Sequence, residues 1–115
     1  MTLREFYQAI GSDEGEVVKR LGSEEMVARF VRRFADDGEF AALCSALRAR
    51  DATAAFRSAH TLKGICANLG FSRLYDAASA LTERLRGGSL EGTQALLTAA
   101  EQAYHGVIDA IRALE

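Results

Sequence analysis

The sequence predicts an all-α protein, an up-and-down four-helix bundle with additional short helices at its N-terminus. Three observations carry that expectation. The chain has 115 residues and no proline, and β-branched residues are sparse beside abundant alanine and leucine, so helix propensity is favourable almost throughout. Apolar residues recur at i, i+3, i+4 spacing in one segment after another, with no sustained period-two alternation. The glycines fall mostly between those segments, with Gly11, Gly15, Gly22, Gly70, Gly87, Gly88 and Gly92 reading as helix ends and turns.

Taken in order, Thr2 with Glu5 three residues on is a capping-box pattern that opens a short helix near residues 3–10. A brief helical turn over 14–21 ends at Gly22. Ser23 then caps a helix carrying Met26, Val27, Phe30, Val31 and Phe34 on one face. Asp36 with Glu39 repeats the capping-box pattern, and Gly38 weakens helix between them. A kink or short break is therefore expected there, followed by a segment over 39–49 that buries Phe40, Leu43, Cys44 and Leu47. Asp51 caps the next helix, which runs to about Leu69. Gly70 and Ser72 turn the chain into a helix with Leu74, Ala78, Leu81 and Leu85 on one stripe. The last helix carries Leu90, Leu97, Ala100, Tyr104, Val107, Ile111 and Leu114 on a seam close to a heptad. Four long amphipathic helices joined by short turns must bury their stripes against one another, and an up-and-down bundle is the simplest solution.

The length suits one compact domain, so residues 1–115 are expected to form a single helical bundle. Apolar residues make up 49% and charged residues 26%, the balance of a globular chain rather than a disordered one. A net charge of −2 and a pI near 5.7 argue against nucleic acid as a partner, which calls for a basic excess. No apolar run approaches the ~20 residues that span a bilayer. The stretch from Met1 to Ile10 contains Arg4 and Glu5 and lacks the apolar region of a signal peptide. No membrane partner and a cytoplasmic location are expected. Cys44 and Cys66 are far apart and show no metal-ligand spacing, so both read as buried thiols acting as small apolar residues.

On a helical wheel at about 100° per residue with His60 at zero, Ala55, Leu62, Ile65, Cys66 and Leu69 fall between about 140° and 240°. His60 lies opposite that buried face and should be wet. Phe56 and Arg57 flank it one turn earlier, Lys63 and Gly64 one turn later, and Ala67 continues the stripe. Gly64 is the oddity, since glycine in a helix interior costs ~1 kcal/mol relative to alanine. It either relieves a close helix–helix contact or leaves the backbone bare for another molecule, and its place beside His60 favours the second. A lone surface histidine usually does nothing, so its neighbours carry the reading. Zinc wants about four ligands, or three plus water, and only His105 could join His60. No Ser or Cys stands in a triad pattern. What remains is the imidazole as nucleophile, with the Lys63 ammonium placed to stabilise an arriving phosphoryl group.

The run Ala59-His60-Thr61-Leu62-Lys63-Gly64, followed by Asn68-Leu69-Gly70 and Leu74, resembles the signature of histidine-containing phosphotransfer domains. The likeness extends over nearly the whole chain. It implies a phosphorelay carrier in which His60 accepts a phosphoryl group from the phospho-aspartate of one response-regulator receiver domain and passes it to another. Lys63 would orient or neutralise the phosphoryl oxygens, and Gly64 would let the receiver dock close. This chain would bind no cofactor of its own, Mg²⁺ being expected on the receiver. Phe56, Arg57 and Ala67 would belong to the docking surface, with Arg57, Arg73 and Arg84 adding positive potential or serving as ordinary solvated charge. Phe6 and Ile10 read as packing residues. In several relatives a glutamine on the following helix hydrogen-bonds the active histidine. Here that helix offers Ser79 and Thr82 near the matching height, and Thr82 is taken as the substitute.

No G-x-G-x-x-G or G-x-x-x-x-G-K-[ST] motif occurs, so the chain is not expected to be a self-sufficient kinase. A hybrid histidine kinase is a further expected partner, and a monomer suffices for transfer. Two other readings stay open: a phosphoacceptor module of a chemotaxis-type histidine kinase, and an adaptor bundle in which His60 is incidental. Met1 at the start and a bundle completed by Glu115 favour a free-standing protein over an excised module.

Overall fold

The computed structural model describes residues 1–114, and every regular element among them is an α-helix. In chain order these are α1 (Leu3–Ala9), α2 (Glu14–Leu21), α3 (Glu24–Phe34), α4 (Glu39–Arg48), α5 (Ala52–Leu69), α6 (Ser72–Arg86) and α7 (Thr93–Arg112). The starts follow from side-chain oxygens that meet orphan N–H groups. Thr2 accepts the Glu5 N–H at 3.2 Å while Glu5 accepts the Thr2 N–H at 2.8 Å, closing the expected capping box. Ser23 accepts from Met26 and Asp51 from Ala54 in the same way.

The second expected capping box does not form. The chain leaves α3 through tight i→i−3 turns up to Asp37, and Asp37 rather than Asp36 accepts the Glu39 N–H, at 2.8 Å. Gly38 then sits at the N-cap with no side-chain bond. The break is real, but one residue later supplies the oxygen. Leu90 lies in the connection before α7 rather than on its seam.

Helices α4, α5, α6 and α7 each pack on the next, joined by Ala49–Asp51, Gly70–Phe71 and Gly87–Gly92. Connections this short oblige consecutive helices to run antiparallel. Phe40 of α4 stacks on Tyr104 of α7 with centroids 4.1 Å apart, which closes the ring of four. The short helices α1 and α2 cover the end of the bundle where α5 passes into α6. There Phe71, buried, meets Phe34 at 5.1 Å, Phe6 at 6.0 Å and Tyr7 at 6.4 Å between ring centroids. Phe6 and Ile10 are packing residues, as the sequence suggested. Residues from all seven helices, from Phe6 and Val17 to Leu62, Leu74 and Ile111, share one buried cluster. The N-terminal pair thus belongs to the same core as the four long helices.

Gly70 shows why α5 stops where it does. Its φ of 72° is left-handed, and a Cβ there would run into Cγ2 of Val17 on α2. Glycine is required twice over, by backbone conformation and by close approach.

Candidate functional site

Helix α5 buries Ala55, Ala59, Leu62, Cys66 and Leu69, with Ile65 half-buried at the edge of that face. The opposite stripe is then fixed by the 3.6-residue period. His60 is exposed on it, and among the described residues no group hydrogen-bonds either ring nitrogen. Phe56, one turn earlier, lies parallel to the imidazole, with an interplanar angle of 10° and centroids 6.0 Å apart. The i, i+4 relation on one helix brings the two rings together. Ala67 and Arg57 are exposed, Arg57 on the flank away from Lys63.

Lys63 is half-buried along its stem, and its Nζ stands 5.9 Å from the centre of the Tyr75 ring on α6. A lysine so placed is held loosely by a cation–π contact while its ammonium stays near water. Gly64 is exposed, and a Cβ added to it would meet nothing within 4 Å. No internal helix contact requires the glycine. Of the two explanations open at the sequence level, the bare backbone turned toward solvent is the one that survives.

Helix α6 supplies neighbours that the α5 pattern did not reveal. Arg86 places its guanidinium carbon 5.3 Å from the Phe56 ring centre and pairs with Glu83 at 3.0 Å. The hydrogen bond and charge of Arg86 hold the Glu83 carboxyl below its ordinary value, with a smaller contribution from Lys63. Both partners of that pair are exposed, so it orders the surface more than it stabilises the fold. The pairs Lys63–Tyr75 and Phe56–Arg86 also set the register of the antiparallel helices. By interpolation His60 lies level with Ser79 and Ala80, the first half-buried and the second exposed.

Thr82 is a correction. It is 0% exposed, and its hydroxyl donates to the Ala78 carbonyl at 2.7 Å within its own helix. A residue on the α6 core stripe cannot reach a ring on the outer face of α5 or meet a partner, so Thr82 is no substitute for the glutamine and no docking residue. Arg73 and Arg84 are likewise remote: Arg73 lies against Gly11 near α1, and Arg84 against Gly92 in the loop before α7. The signal that could have pointed to Arg86 was its position one turn after Thr82, but only the helix–helix register decides which arginine faces Phe56. His105 is exposed on α7 beside Tyr104. Cys66 is buried as expected, whereas Cys44 is only half-buried.

Among the described residues, no three His, Cys, Asp or Glu side chains converge as a metal-binding group, and no helix is long and apolar enough to cross a membrane. What the face offers is one unencumbered imidazole on a rigid helix, two cations within a turn, and a stretch of backbone open to close approach. That defines a class: a helical bundle whose open outer face carries an exposed imidazole beside bare backbone. Residues 25–114 match the family model of the Hpt domain, a stretch that runs from the start of α3 past the end of α7 and contains the whole His60 stripe. The chain belongs to the Hpt domain family. No curated protein and no solved structure compared with it matches.

Proposed function

We propose that the chain is a phosphoryl carrier whose acceptor is His60, taking the group from the phospho-aspartate of a receiver domain and giving it to the aspartate of another. Family membership supports histidine phosphotransfer in a phosphorelay. The observation that carries the finer reading is the exposure of the His60 ring beside the open backbone at Gly64. In the step itself, the lone pair of one imidazole nitrogen attacks phosphorus. An N–P bond forms as the P–O bond to the aspartyl carboxylate breaks, and the carboxylate leaves with its electron pair. The proton on the other ring nitrogen is free to pass to water. Lys63 swings from Tyr75 toward the phosphoryl oxygens, countering their charge. The Mg²⁺ expected for this step would be held by the receiver, where it would supply further positive charge to the phosphoryl oxygens. Such partners place the carrier in the cytoplasm.

The test is transfer of label. The protein is mixed with a receiver domain phosphorylated on aspartate, and wild type is compared with His60→Gln. Acid-labile, base-stable label on wild type alone is the expected result. Label that appears only with a kinase and ATP would replace this reading with that of a kinase phosphoacceptor module, and no label under either condition would leave an adaptor bundle.

A further inference from the structure

The last carbonyls of a helix have no partners within it and must find them elsewhere. In α5 all four, from Cys66 to Leu69, are accounted for. The Cys66 carbonyl accepts the N–H groups of Gly70 and Phe71. The Ala67 carbonyl accepts Nη2 of Arg20 at 3.0 Å, and the Asn68 carbonyl accepts Nε of the same guanidinium at 3.1 Å. The Leu69 carbonyl accepts the Tyr7 hydroxyl at 2.6 Å in a buried setting. Both side-chain donors come from α1 and α2, which precede the stretch matched by the Hpt family model. Arginine suits the task because its rigid fork spans two adjacent carbonyls and its charge meets the negative end of the α5 dipole.

The position of this cap matters for docking. Ala67 follows His60 by about two turns at nearly the same wheel angle, which places it about 10 Å along the same stripe. A partner that buries about 800 Å² on each side covers a disc roughly 16 Å in radius. Centred on His60, such a footprint takes in Ala67 and the exposed Arg20 guanidinium clasped to its carbonyl.

We propose that Arg20 is a positioning residue for phosphotransfer: it holds the C-terminal turns of α5 in the shape that an incoming receiver domain meets. The proposal rests on the carrier reading above. Without the guanidinium, the Ala67 and Asn68 carbonyls are left to water and the last turn frays. The reacting ring is two turns away and keeps its own geometry, so the loss falls on docking rather than on the chemical step.

Transfer from a phosphorylated receiver is measured for wild type, Arg20→Met and Arg20→Lys, with amide hydrogen exchange at Gly70 and Phe71 followed in parallel. Arg20→Met is expected to raise KM about fivefold, the equivalent of about one net hydrogen bond, with kcat within about twofold of wild type and faster exchange at both amides. Arg20→Lys falls between, since one ammonium serves one carbonyl well. If Arg20→Met does not fold, Arg20→Lys carries the same comparison. A KM equal to that of wild type, with or without a lower melting temperature, makes Arg20 a purely structural clamp and overturns the proposal. Absence of label on wild type itself overturns the carrier reading, and this one with it.

Discussion

Gly64 gives the sharpest contrast between stability and function. It lies inside α5, where glycine costs about 1 kcal/mol relative to alanine. A Cβ at this position meets nothing within 4 Å, so Gly64→Ala gains helix propensity with no clash to offset it. With an unfolding entropy typical of a chain this long, about 1 kcal/mol raises the melting temperature by about 4 °C. Gly64→Gln fills the same space with a long side chain where a partner would approach, and is expected to raise KM for a phosphorylated receiver about tenfold, or ~1.4 kcal/mol of docking energy. Gly106, inside α7 and equally open, serves as the control: Gly106→Ala gains the same stability and leaves transfer unchanged. Thermal unfolding and transfer kinetics on the three variants read both effects. A fall in melting temperature on Gly64→Ala would mean that the fold itself needs the glycine, and unaltered transfer by Gly64→Gln would remove its docking role.

Further consequences are open to measurement. Thr82→Val deletes a hydroxyl bonded only within its own helix, so stability should change by less than about 1 kcal/mol and transfer not at all; a large loss of transfer would restore Thr82 to the site. Arg50 holds φ at 56° where α4 ends, while the Asp51 N–H bonds to the Ala46 carbonyl and the Arg50 N–H to that of Leu47. This Schellman geometry favours glycine, so Arg50→Gly should stabilise by about 1 kcal/mol in denaturant unfolding. Burial pushes the Cys66 thiol from its ordinary 9.0 up to about 12. Between those values the unfolded chain loses a proton that the folded chain keeps, so stability falls as pH rises, by up to about 1.4 kcal/mol per unit. Burial drives Tyr7 in the same direction. Cys66→Ala should therefore show a shallower alkaline decline than wild type, and an equal slope would contradict the assignment.

The helices were legible because their signals are local. Thr2, Ser23 and Asp51 each meet a backbone N–H three residues on, and the chain needs no distant partner to place them. Where two oxygens competed, as with Asp36 and Asp37, the pattern alone chose the wrong one, because the winner depends on how tightly α3 unwinds. The left-handed Arg50 carries no mark in the sequence at all: glycine is preferred there, and the chain does without it. Phe71 was invisible for another reason. It occupies the turn between two helices, outside any periodic stripe, yet three aromatic rings from α1 and α3 close around it.

The same distinction divides the candidate site. The stripe Phe56, His60, Lys63, Gly64 and Ala67 lies on one helix, so its period suffices to place every member on one face. The Thr82 expectation crossed from one helix to the next, and there an error of about one position rotates a side chain by about 100°, enough to move it from the surface into the core. Tyr75 and Arg86 belong to this second kind, since their contact with α5 depends on how far α6 slides along it. Arg20 and Tyr7 lie further off still, fixed by a cap that only the assembled fold creates. On the proposed carrier reading, the motif on α5 thus specifies the nucleophile and its immediate cation, whereas the surface a partner would recognise is composed by packing. Two chains with the same His60 motif but different α2 and α6 faces should therefore present the same chemistry to different partners.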